Sequence, residues 1–151
     1  MENEKLVIKE AKFSDLNTIR GLLQDLSSIF EKTEGIDINF AIKNFSSCLR
    51  NPNSYIFVAF HDGNPIGLVN FSVRNTLMHK GLSAIIDELI VKDEFHNQGI
   101  GKELICNVVA KCKDLNCCEI EVSAECDDTP AIDFYKNCGF KQIGIYMERA
   151  I

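Results

Sequence analysis

Val91-Lys92-Asp93-Glu94-Phe95-His96-Asn97-Gln98-Gly99-Ile100-Gly101-Lys102 is the stretch on which the reading of this chain turns. A β-rich run ends at its start, a polar turn follows, and two glycines open a segment with helical periodicity. Glycines at a helix start let the backbone approach a ligand closely and leave N–H groups without intrahelical partners. The helix dipole adds partial positive charge at the same place, so the stretch suits an anion such as phosphate. On its own the pair is also compatible with a glycine turn that only packs. It is not a Walker loop, because G-x-x-x-x-G-K-[ST] is missing, and Leu104 stands where a dinucleotide fingerprint has its third glycine.

Working outward, the run 83–92 is apolar apart from the adjacent carboxylates Asp87 and Glu88. Downstream, Ile100, Leu104, Val108, Cys112 and Leu115 recur at nearly helical spacing. A strand (Glu119-Ile120-Glu121-Val122-Ser123), a helix with Pro130 in its first turn, and a last strand over about 140–149 complete the C-terminal half. Upstream, 5–11 reads as a short strand. Ser14-Asp15 then caps a helix whose apolar face runs Leu16, Ile19, Leu22, Leu23, Leu26, Ile29 and Phe30. A second helix presents Ile38, Ala41, Ile42, Phe45 and Leu49, and strands at 54–60 and 65–73 are joined by His61-Asp62-Gly63-Asn64. The order β-α-α-β-β-β-α-β-α-β predicts an α/β fold, a central mixed twisted sheet flanked by helices on both faces.

Composition narrows the classes. The 151 residues suit one domain, 1–151, and 46% hydrophobic with 25% charged residues excludes disorder as the main state. The longest apolar run, Ile56-Phe57-Val58-Ala59-Phe60, is far too short for a membrane span, and the N-terminus lacks a secretory signal. A cytoplasmic location is expected. The net charge of −6 and the lack of a basic cluster argue against nucleic acid as a partner. Seven cysteines form no C-x-x-C pair and the three histidines are scattered, so no metal site is expected; small buried thiols in a reducing compartment are.

A second motif follows: Ala131-Ile132-Asp133-Phe134-Tyr135-Lys136-Asn137-Cys138-Gly139-Phe140, with a phenol near a helix end closed by glycine. The two motifs on these elements resemble the GNAT superfamily of acetyl-CoA-dependent N-acetyltransferases. The first resembles its pyrophosphate loop, [RQ]-x-x-G-x-[GA], and the second its A-x-x-[FL]-Y-x-x-x-G-F signature. The likeness covers nearly the whole chain. His96 departs from the usual Arg or Gln, which implies weaker anion attraction with the site kept.

The resemblance implies roles. Backbone groups of Leu89, Ile90 and Val91 would pair with the pantetheine arm, and the amides of Asn97, Gln98, Gly99, Ile100, Gly101 and Lys102 would hold the pyrophosphate. Asp128 stands where the family often has a cofactor-bonding Asn. Tyr135 would be the general acid for the departing thiolate. The reaction implied is attack of a primary amine, of a small molecule or a peptide, on the acetyl thioester in a ternary complex. An alkylammonium must first lose a proton, which a carboxylate can accept. The Leu89 N–H could polarise the carbonyl.

Glu88 is the favoured base, with Asp87, Glu121 or a water as alternatives. Asp87 and Glu88 are adjacent on one strand, so only one is expected to face the acceptor. A cysteine nucleophile, Cys126 or Cys138, is disfavoured for want of a histidine placed to activate it. The acceptor region is expected at Ile29–Asn39 and Asn75–Ser83, where Glu31, Glu34 and Asp37 suit a cationic amine. The chain also has an echo of glucosamine-6-phosphate N-acetyltransferases, with Arg149 near a sugar-phosphate ligand. The other reading is a CoA-binding regulatory module without transfer. A homodimer is implied by the resemblance alone.

Overall fold

The computed structural model describes residues 6–27 and 37–151. Its elements are β1 (Leu6–Glu10), α1 (Leu16–Asp25), α2 (Ile38–Arg50), β2 (Ser54–His61), β3 (Asn64–Arg74), β4 (Leu82–Val91), α3 (Ile100–Asp114), β5 (Cys117–Val122) and α4 (Thr129–Asn137). The strands form one sheet in the order β1-β2-β3-β4-β5. Pairing is antiparallel from β1 to β4 and parallel between β4 and β5, which α3 connects.

The helix starts follow capping chemistry. Asp15 precedes α1, its carboxylate accepting from the Lys12 N–H at 2.8 Å and from Lys9 Nζ at 3.0 Å. Asp37 caps α2 by accepting from the Asn39 N–H at 2.8 Å, satisfying a donor the helix cannot. Ile19, Leu22, Leu23 and Phe45 on these helices pack with Ile56, Val58, Phe60 and Leu68 on one side of the sheet. Leu104, Ile105 and Val108 of α3 pack with Phe57, Val69, Phe71, Val73 and Ile86 on the other. Alternation along β3 therefore feeds two cores, as a sheet covered on both faces requires.

The expected elements are present except the last. Residues 140–151 form no strand, and among the described residues the sheet has five strands instead of six. Every residue from 141 to 151 is exposed, including Ile143 and Ile145. Alternating apolar residues supply strand propensity, but a strand also needs a neighbour to accept its backbone groups, and this segment pairs with none among the described residues. No helix among the described residues is long and apolar enough to cross a membrane.

Candidate active site

Pairing between β4 and β5 ends at Ile86↔Val122, while β4 continues to Val91. Backbone groups of residues 87–91 that point away from β3 thus meet no strand. The Lys92 N–H donates to the Ile66 carbonyl at 2.8 Å, and the Ile90 carbonyl lies 2.7 Å from where a Cβ on Gly67 would stand. Both observations turn Ile90 toward β3. Backbone alternation then leaves Leu89 and Val91 facing the open side. Of the trio Leu89, Ile90 and Val91, Ile90 turns its polar groups to β3 within the sheet.

The loop beyond β4 is held by its own side chains. His96 Nε2 lies 2.7 Å from the Val91 carbonyl oxygen, so the ring donates there and braces the loop against the strand end. Gln98 Nε2 donates to the Glu94 carbonyl at 2.9 Å. Asn97 and Gly99 adopt left-handed conformations, with φ of 58° and 81°. Gly99 is the N-cap of α3, and the first helical bond runs from the Glu103 N–H to its carbonyl. The N–H groups of Asn97, Gln98, Gly99, Ile100, Gly101 and Lys102 have no acceptor among the described residues.

The two glycines have different jobs. Gly99 supplies the left-handed turn and would meet nothing with a Cβ, whereas a Cβ on Gly101 would stand 3.2 Å from the Phe134 ring. The second glycine is what lets α4 close on the start of α3, bringing the two sequence motifs together. Tyr135 next door is half-buried and packs edge-on against Phe134 and Phe140, at 5.2 and 5.7 Å between ring centroids. Desolvation, then the neighbouring Cys138 and Asp128, push its phenol above the ordinary value. Asp128 is the N-cap of α4, its Oδ1 accepting from the Ala131 N–H at 3.1 Å. A groove of about 380 Å³ runs along α3 from Lys102 to Lys113 and reaches Asn137 and Cys138.

The carboxylates are arranged differently from expectation. In the β3–β4 ladder Asn70 faces Glu88 while Phe71 faces Ile86, so Asp87 is an extra residue in a β-bulge. Asp87 Oδ2 lies 3.5 Å from Ser72 Oγ, and Glu88 Oε2 accepts from Asn70 Nδ2 at 2.7 Å. Asn70 and Ser72 are two apart on β3 and share a face. Both carboxylates therefore point to the α1–α2 side. The expectation that only one could do so fails because the bulge cancels the alternation.

Glu121 joins them. Its Oε2 lies 2.7 Å from Arg74 Nη2, two further positions along the same face of β3. Partial desolvation is the main cause raising Asp87 and Glu88 above the usual carboxylate range, and the Asp87 charge adds to the rise at Glu88. Cys48 of α2 is raised by burial and by both carboxylates, which keeps it a thiol. The Asn70 Oδ1 is buried without a hydrogen-bond partner among the described residues.

Sequence reasoning missed Asn70, Ser72, Arg74 and Cys48. The signal available was the pair of polar residues breaking the apolar run of β3 at Asn70 and Ser72. Of the expected acceptor segments, Glu31 and Glu34 lie outside the described residues. The loop after β3 exposes Leu77 and Met78, and His79 Nε2 lies 3.2 Å from Glu119.

Comparison with known proteins gives this geometry a context. Among curated relatives, a glucosamine 6-phosphate N-acetyltransferase of Schizosaccharomyces pombe is 30% identical over 79 residues, 52% of this chain and 68% of that protein. A thialysine N-epsilon-acetyltransferase of Sus scrofa is 23% identical over 145 residues, 91% of this chain and 85% of that protein. An aminoglycoside acetyltransferase from an uncultured soil metagenomic sample, solved in complex with trehalose, superposes with a TM-score of 0.81 at 24% identity, covering 97% of this chain and 96% of that one. Residues 19–140 match the sequence profile of the Acetyltransferase (GNAT) family, a span that takes in the loop, the bulged strand and the tyrosine helix, and the chain belongs to that family.

Proposed function

We propose that this acetyltransferase moves an acetyl group from acetyl-CoA to a primary amine of a small cationic molecule. Attack is direct, in a ternary complex, with Glu88 as base and Tyr135 as acid. The observation that carries the reading is the shared face of Asp87, Glu88 and Glu121, beside the strand edge left open where β4 and β5 part. Three carboxylates, with Arg74 paired to one of them, favour an ammonium over a phosphorylated sugar. The Asn70 Oδ1, an acceptor without a donor among the described residues, suits the same ligand.

Each group has a task. Glu88 accepts the proton the ammonium loses, and its raised pKa brings it closer to neutrality, where a base works best. The Leu89 N–H, on the open edge, donates to the thioester oxygen as charge develops. Tyr135, kept protonated by its raised pKa, returns a proton to the departing sulfur. The six free amides from Asn97 to Lys102 would bind the pyrophosphate, and the groove from Lys102 to Lys113 offers room for the nucleotide end. Asp128 contributes mainly by capping the tyrosine helix. Leu89 and Val91 would pair with the pantetheine arm. The protein would act as a homodimer in the cytoplasm, and peptide amines are the second acceptor class.

Thiol release from acetyl-CoA across a panel of polyamines, aminoglycosides, amino acids and glucosamine 6-phosphate tests the reading. Turnover is expected with the polycationic amines. Acetyl-CoA binding without thiol release from any amine would favour a regulatory module instead. Tyr135→Phe is expected to lower kcat about 10²-fold while acetyl-CoA affinity stays within a few-fold. An equal fall in affinity would make Tyr135 a binding residue.

A further inference from the structure

One side chain of the neighbouring strand holds Glu88. Asn70 of β3 stands directly opposite Glu88 in the ladder, and its Nδ2 donates to Glu88 Oε2 at 2.7 Å. Chemistry fixes which way round the amide lies. Turned over, Oδ1 would face a carboxylate oxygen, and two acceptors at that distance repel. Glu88 is an exposed residue, and with Oε2 engaged its Oε1 is the oxygen left to take a proton. A donor fixed on one oxygen favours the ionised carboxylate and limits its rotation.

The amide keeps this orientation at the expense of stability. Its Oδ1 is buried and meets no donor among the described residues, and orphaned buried acceptors are rare in native structures. An apolar side chain at 70 would remove the orphan and continue the packing of Leu68, two residues earlier on the strand. The adjacent carboxylate has no comparable hold. Asp87 Oδ2 lies 3.5 Å from Ser72 Oγ, at the outer limit of a hydrogen bond, and Asp87 is the extra residue of the bulge with no ladder partner on β3.

We propose that Asn70 is a positioning residue for the transfer: it locks Glu88 through Oε2, aims Oε1 at the acceptor nitrogen and so selects Glu88 over Asp87 as base. The proposal rests on the reading of Glu88 as base and deepens it. The ammonium proton passes to Oε1, the nitrogen keeps the electron pair that then forms the N–C bond, and Nδ2 stays bonded to Oε2 throughout. Among the described residues, the titratable and charged groups facing Glu88 are Asp87 beside it, Cys48 from α2, and the Arg74–Glu121 pair farther along the face. Desolvation raises the Glu88 pKa, the Asn70 hydrogen bond opposes that rise, and the Asp87 charge adds to it. Removing the donor therefore moves protonation of Glu88 to higher pH.

The test is the pH dependence of kcat, read by thiol release from acetyl-CoA at saturating amine, together with a carboxyl NMR titration of Glu88 that needs no turnover. N70A is expected to lower kcat about 10-fold at neutral pH and to move both the acidic limb and the Glu88 titration up by about one pH unit. N70D keeps the shape of the wild type, so it carries the test if N70A does not fold. It sets a second carboxylate against Glu88 and should move both further. Ser72→Ala, which frees Asp87 instead, should move neither. In an E88Q background N70A should lower kcat by less than about two-fold, since no carboxylate is left to position. A lowered kcat with limb and titration unmoved, or an equal loss from N70A with and without Glu88, overturns the proposal and leaves Glu88 as base. A limb moved by Ser72→Ala and not by N70A overturns it in favour of Asp87. Full activity in E88Q overturns the base assignment, and the positioning role with it.

Discussion

One strand, β3, builds two different surfaces. Val69, Phe71 and Val73 are buried against α3, with Phe71 fully enclosed, whereas Asn70 and Ser72, between them, hold Glu88 and Asp87 on the opposite side. The apolar side owes its stability to close packing. The polar side carries charges that cost stability, and the sheet tolerates them because the other side is sealed. The contrast teaches that chemistry and stability can be separated along a single strand by alternation.

The sharpest test of this division is Glu88→Gln. Loss of the base is expected to lower kcat/KM by about 10²–10⁴-fold, read by thiol release. Stability should move the other way. Glu88 has a raised carboxyl pKa, so the folded state holds its proton more tightly than the unfolded chain. That contribution favours folding below the ordinary value near 4.5 and is lost as pH rises through the folded value. Glutamine removes the ionised form, so thermal stability at neutral pH should rise slightly and the gain should vanish in acid. A drop in melting temperature at pH 7 would break the comparison. For the wild type, the same raised pKa moves the acidic limb of the pH–rate profile above the usual carboxylate range.

Phe71→Ala attacks the other side. Emptying the site of a fully enclosed ring should destabilise by about 3–5 kcal/mol in denaturant titration. Ser72→Ala, the adjacent residue on the opposite face, should stay within about 1 kcal/mol. Equal losses would mean that the polar face is structural after all.

These residues also show what was legible in sequence. The loop, the tyrosine helix and the helices of both layers announce themselves by glycines, caps and periodicity, which are local signals. The bulge at Asp87 does not, because no glycine or proline marks it and its existence depends on register with β3. For the same reason the convergence of Asp87, Glu88 and Glu121 was hidden. His96 stands where the family usually has Arg or Gln, and its contact with the Val91 carbonyl has no local signal in the sequence. The strand expected at 140–149 has strand-like alternation, but local sequence says nothing about which edge would receive it.

Smaller effects concern the contact between α3 and α4. Asp128→Ala removes the cap of α4 and should cost about 1 kcal/mol, visible as a lower melting temperature. Gly101→Ala should be nearly neutral in stability, because its helix gain of up to about 1 kcal/mol offsets the push on Phe134, whose helix is only half-covered. Its effect should show in turnover instead, through a displaced Tyr135, and unchanged kinetics would mean that the ring yields without moving its neighbour.

The bulge has a further consequence for how such a site can evolve. Asp87 is one residue too many for the ladder, and the bulge is what lets it share the α1–α2 face with Glu88. Deleting Asp87 would restore strict alternation and leave Glu88 opposite Asn70 on the α1–α2 side, because the ladder already pairs Phe71 with Ile86 and Asn70 with Glu88. Descendants of this chain can therefore lose the residue at 87 without turning Glu88, giving up one of the three carboxylates on that face.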